Sequence, residues 1–110
     1  MQEPSEILQG TLDMLVLRAL DLGPMHGLGV SDRIKQITGG VFVVKPGSLF
    51  PALQRLDQNG WIDGTWGESE NNRRARYYTL TRAGRVQLNR EKRNWRRAFT
   101  AVNKLLEAES

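Results

Sequence analysis

The chain has 110 residues, 39% of them hydrophobic and 25% charged, with no cysteine and a formal net charge of +4. That is enough for one hydrophobic core and too little for two. The missing cysteines exclude disulfide frameworks, thiol nucleophiles and thiolate metal sites, and no apolar run approaches the roughly 18 residues that suggest a membrane span.

The segment MQEPSEILQG carries acids where a secretory leader would carry bases, so the expectation is a cytoplasmic protein without a membrane partner. Leu8, Leu12, Leu15, Val16, Ala19 and Leu20 then recur at helical spacing until DLGP breaks the pattern, which predicts a first helix over 5–22. Val30, Ile34 and Ile37 keep to one face of a second helix that ends at TGG, residues 38–40. The following VFVV, 41–44, favours β structure but is too short for an independent strand.

The stretch KPGSLFPALQRLDQNG, 45–60, predicts a third helix with Leu49, Leu53 and Leu56 inward and Gly60 as its C-terminal stop. Its front end allows two readings. With Ser48 as N-cap, Pro51 falls in the first turn, where its missing N–H costs nothing. With the helix starting at Pro46, Pro51 lies a turn deeper and the first turn should be kinked or partly 3₁₀. Both give a rigid helix front suited to an anion.

The period then changes to that of strands. WIDGTWG, 61–67, and RARYYTL, 74–80, read as a two-stranded hairpin with its tip at ESENN. Tyr77 and Tyr78 point to opposite faces, one to be packed and the other free to offer its hydroxyl to a phosphate. Thr81 is placed to cap a long helix from Arg82 to about Ala108, whose Leu88, Trp95, Phe99, Val102 and Leu106 follow a heptad seam.

That seam is longer than a domain of this size can cover by itself, so a two-fold dimer is expected, with Leu12 and Leu15 from the first helix and Trp95, Phe99, Val102 and Leu106 from the last at its interface. Folding of the seam back onto the first helix is the monomeric alternative. Trp95 has two readings of its own: closed dimer core, or the wall of an aromatic cavity that takes a small planar aromatic effector.

The charge is segregated. Ten bases and one acid lie between Arg73 and Arg97, whereas the rest of the chain holds six bases and eleven acids. A positive segment in an acidic chain points to a polyanionic partner, with a solvated helix face as the plain alternative. The fold class expected is mostly α with a small β-hairpin, a winged helix-turn-helix (1–81) with an added long C-terminal dimerisation helix (82–108).

On that fold the third helix enters the major groove of double-stranded DNA and the hairpin flanks it. Gln54 and Arg55, outside the leucine stripe, are candidates for base contact, Lys45 and Ser48 for the phosphates at the helix front, and Arg73 and Arg74 for the backbone or a minor groove. Glu68 and Glu70 are close enough in sequence to pair with those arginines instead. The lone His26 has no ligand set or nucleophile beside it, and no glycine-rich stretch follows a long parallel strand. No enzyme, metal or cofactor is expected.

The blocks LQGTLDMLVLRAL, LGPMHGLGV, KPGSLFPALQRLDQNGWI and NRRARYYTLTRAGR resemble, in that order and spacing, those of PadR-like transcriptional regulators, over residues 7 to about 106. WGESENNRRARYYTLT with NWRRAFTAVN is most similar to the small subgroup with a short C-terminus. The resemblance implies a homodimeric repressor on a palindromic operator, with an effector at the dimer interface in some members. By position it carries Lys45, Ser48, Gln54 and Arg55 onto the recognition-helix region, Arg73, Arg74 and Tyr77 onto the wing, and Trp95 onto the region where some members bind planar compounds. Leu28 and Phe50 stand where the family usually has Tyr, and Ser48 where Thr is common. The competing class is a winged helix that docks an acidic protein partner.

Overall fold

The computed structural model describes residues 9–68 and 73–109. The expected start of the first helix at residue 5, its Leu8, Glu70 and the hairpin tip at 69–72 lie outside them. The elements are α1 (Gln9–Asp21), β1 (Met25–His26), α2 (Gly27–Ile37), α3 (Pro46–Gln58), β2 (Ile62–Glu68), β3 (Arg74–Leu80) and α4 (Arg82–Glu107). The fold is mostly helical with a small three-stranded antiparallel sheet ordered β1-β3-β2.

The core is where the apolar stripes of α1, α2 and α3 meet the sheet. Val16, Leu17, Val30, Leu49, Leu53, Leu56, Ile62 and Leu88 are each less than 2% exposed. Leu12 belongs to this same core, only 8% exposed, and Leu15 packs partly against it. This corrects the expectation that Leu12 faces a second subunit: its own chain already covers it.

β1 is the strand that periodicity missed. It is two residues long, Met25 opposite Tyr78 and His26 opposite Tyr77, too short to show any alternation. Its pairing delivers His26 to the front of α2, where Nδ1 accepts a hydrogen bond from the Gly29 amide at 3.1 Å. His26 is therefore a helix cap, filling an acceptor role usually taken by Ser, Thr, Asp or Asn.

The third helix begins at Pro46, so Ser48 is not its N-cap. Lys45 takes that position without a side-chain capping bond, and its carbonyl accepts from both the Ser48 and Leu49 amides at 2.9 Å. The bond to Ser48 is the 3₁₀-type contact expected for this alternative, and these two donors are already engaged rather than free for an anion. Pro51 sits inside the helix but on its exposed side. At the far end Gly60 (φ 76°) donates to Asp57 O at 3.0 Å and Trp61 to Leu56 O at 3.0 Å, the paired bonds of a Schellman stop that needs a left-handed residue.

β2 and β3 pair from Ile62 opposite Leu80 to Glu68 opposite Arg74. Tyr78 is the buried tyrosine at 9% exposure, Tyr77 the half-buried one on the opposite face. Thr81 then caps α4 as expected: its Oγ1 accepts from Gly84 N at 3.0 Å and donates to Gly60 O at 2.7 Å. Gly84 allows α4 to approach the loop so closely that a Cβ there would lie 2.0 Å from the Trp61 carbonyl oxygen.

α4 packs on α1. Its 26 residues span about 39 Å at 1.5 Å per residue, and beyond Leu88 no residue of it is buried. The Cα radius of gyration, 15.4 Å, accordingly exceeds the roughly 13 Å of a compact chain of about this length, and the longest dimension is 59 Å. No helix among the described residues is long and apolar enough to cross a membrane.

Candidate nucleic-acid interface

The leucine stripe that locks α3 into the core decides what its other side presents. Lys45 and Gln54 are exposed and Ser48 half-buried. Gln54 can thus present an amide able to pair with the edge of adenine. Arg55, one residue on, is turned by about 100° around the helix and takes a different course. Its Nη2 donates to Asp13 Oδ1 on α1 at 2.5 Å, in a pair whose side chains are 31% and 12% exposed. The expectation that Arg55 shares the outward side with Gln54 is corrected by this ion pair, which ties the third helix to the first.

Arg73 and Arg74 are exposed where the hairpin re-enters the described chain. Arg74 lies over the ring of Trp66, its guanidinium carbon 5.1 Å from the centroid. Arg76 is held more firmly: it pairs with Asp57 on α3 at 3.2 Å and lies 5.9 Å from both the Trp66 and Tyr78 rings. The hairpin is thus tied to α3 by a cation between a carboxylate and two aromatic faces. Tyr77 uses its hydroxyl proton within the wing, donating to Glu68 O at 3.0 Å, while its ring meets His26 edge-on at 5.6 Å. While that bond holds, the hydroxyl cannot donate to a phosphate and can only accept. Trp66, 59% exposed, is the residue that sequence reading passed over. The only signal for it was a large aromatic on a short polar strand.

At the other end of the molecule the seam of α4 lies open. Trp95 is 43%, Phe99 52% and Val102 53% exposed, and Leu105 and Leu106 more than 70%. Trp95 and Phe99 stack with centroids 5.0 Å apart and planes 10° from parallel. Beside Trp95 is a cavity of about 370 Å³ between α1 and α4, lined by Gly10, Thr11, Met14, Glu91, Asn94 and Trp95. Burial raises the Glu91 carboxyl above its ordinary range, a side-chain hydrogen bond from Gln87 opposes this, and the charge of Asp13 adds to the rise. Among the described residues, Glu91 Oε2 and Arg55 Nε are both buried without a hydrogen-bond partner.

Among the described residues no three His, Asp or Glu side chains gather to hold a metal ion. A helix pair whose second member is flanked by a basic antiparallel hairpin defines the winged helix-turn-helix class. Within that class the chain belongs to the PadR-like family of transcriptional regulators, whose pattern residues 16–90 match. A transcriptional regulator from Clostridium thermocellum is 28% identical, with 90% of this chain and 96% of that one superposing at a TM-score of 0.82. A PadR-like regulator from Bacillus cereus is 29% identical over 93% and 97% of the two chains at 0.77. An uncharacterized protein of Lysinibacillus sphaericus is 25% identical over 94% of both.

Proposed function

We propose that the chain is a homodimeric repressor that binds a palindromic operator, with residues 82–108 as the dimerisation helix carried by the DNA-binding unit 1–81. Gln54 reads a base in the major groove, Lys45 and Ser48 meet phosphates at the helix front, and Arg73 and Arg74 hold the backbone or minor groove beside it. The observation that carries this is the outward polar side of α3 lying next to a wing with exposed arginines, in a chain whose positive charge is concentrated between Arg73 and Arg97. Docking of an acidic protein fits the charge but gives no role to a base-reading amide.

Gel retardation of the DNA upstream of the gene, in excess random duplex, tests the proposal. Gln54→Ala is expected to lose about 1–3 kcal/mol on the operator and little on random DNA. Arg73→Ala and Arg74→Ala are expected to weaken both alike, each lowering the salt slope by about one. Equal loss on both duplexes for Gln54→Ala moves that residue to the phosphate contacts. A wild-type chain that binds the operator no better than random DNA ends the repressor reading.

A second element of the proposal is a planar aromatic effector against Trp95, supported by the half-exposed Trp95–Phe99 stack and the adjoining cavity. Such a ligand lies on the seam that sets the spacing of the two recognition helices, and preference for a splayed dimer by about 3 kcal/mol weakens operator binding roughly 150-fold. Titration of planar aromatic compounds, followed by tryptophan emission of wild type and Trp95→Leu, is the check. With no Trp95-dependent change, control by an effector is dropped and abundance alone sets repression.

A further inference from the structure

We propose that the cleft between the wing and the front of α3 is a slot for the deoxyribose face of one DNA strand, walled by Leu28, Phe50 and Trp66 and guarded by Arg74. The proposal rests on the DNA-binding reading and assigns to that surface a contact that is apolar rather than ionic. Single exposed hydrophobic residues are ordinary, but here three converge on one cleft. Leu28 is 53%, Phe50 46% and Trp66 59% exposed, around a cavity of about 390 Å³ whose lining also includes Tyr78, Arg74 and Arg76.

The charges around this cleft select its occupant. Arg76 is already paired with Asp57 at 3.2 Å and caged between two rings, whereas Arg74 lies over Trp66 alone with its side chain exposed. Among the described residues, the cleft therefore offers one available cation at the edge of an apolar wall. A strand of DNA offers the matching alternation, a phosphate and then the carbon face of a sugar. When a recognition helix lies in the major groove and its wing reaches the adjacent minor groove, the phosphate ridge that separates those grooves passes between helix and wing. An acidic peptide would satisfy Arg74 but leave the three apolar walls facing polar backbone.

A consequence is discrimination against ribose, because a 2′-hydroxyl pressed on an apolar wall loses its water without gaining a partner. Leu28→Ser and Phe50→Ala remove wall without touching Arg74. Each is expected to weaken operator and random duplex alike, roughly three- to tenfold, while the salt slope stays at the wild-type value because no counterion is released at an uncharged contact. Arg74→Ala lowers that slope by about one.

A second measurement has one arm on the wild-type chain alone. Single ribonucleotides are substituted along the operator duplex, and one position per half-site is expected to weaken the wild-type chain several-fold and the Leu28→Ser/Phe50→Ala double variant not at all. If the wild type retards no duplex, the DNA reading itself fails. If it retards the operator but both single variants bind as tightly as wild type, or their salt slopes fall as that of Arg74→Ala does, the DNA reading stands and the sugar slot is overturned. Equal sensitivity of wild type and double variant to every ribonucleotide also overturns it.

Discussion

Phe99→Asp is expected to sediment as a monomer at tens of micromolar, where the wild-type chain sediments as a dimer, and to lose roughly 10²- to 10⁴-fold in operator affinity. The two effects have one cause. Among the described residues none of α4 from Trp95 onward is buried, yet it displays Phe99, Val102, Leu105 and Leu106 more than half exposed. Covering such a stripe with a second copy is the commonest closed arrangement, and two-fold symmetry then brings the substitution in twice. Each buried, unpaired carboxylate costs several kcal/mol. Because Phe99 is 52% exposed in the single chain, the variant should keep its helical circular dichroism. A folded monomer with only one half-site engaged loses the effective concentration that linkage provides. A wild-type monomer at that concentration removes both the interface and the palindrome, and a dimer that survives the aspartate removes this interface.

The parts of this molecule that sequence made legible are those governed by local rules. Helical spacing located α1 through α4, Thr81 and Gly60 marked a start and a stop through hydrogen bonds that span only a few residues, and the shift to strand-like runs placed the hairpin. What escaped depended on partners far along the chain. β1 exists only because Tyr77 and Tyr78 lie beside Met25 and His26. Leu12 and Leu15 occupy one stripe, and no period says how much of it the chain itself will cover. The side taken by Arg55 is set by Asp13, 42 residues away, and the exposure of Trp66 by what α3 leaves uncovered.

The same ion pair yields the last prediction. Arg55→Ala is expected to reduce stability by about 2–3 kcal/mol in urea unfolding, below the loss for a fully buried pair because the Arg55 side chain is 31% exposed. The loss comes from what remains: Asp13, 8% exposed, keeps its carboxylate with no cation, near Glu91 whose own carboxyl is already raised. Its pH dependence has a definite sign. An acid whose folded-state pKa is above the unfolded value disfavours folding when ionised, so the penalty is full above the folded value and fades as pH falls toward the ordinary 4.5 of Glu91. Without Arg55 the Asp13 charge that helps to raise Glu91 is left unbalanced, so the penalty on Glu91 grows. The deficit of Arg55→Ala relative to wild type should therefore be largest at neutral pH and shrink on acidification. Glu91→Gln in the Arg55→Ala background should recover part of it at neutral pH by removing one of the two charges. The apolar replacement Asp13→Leu with Arg55→Met should restore stability to near the wild-type value, since a buried pair exchanged for well-packed apolar groups is often neutral. If Arg55→Ala instead unfolds like wild type and relaxes operator preference at one base pair in each half-site, Arg55 leaves Asp13 to read DNA, and the bond between α3 and α1 is one that the operator replaces.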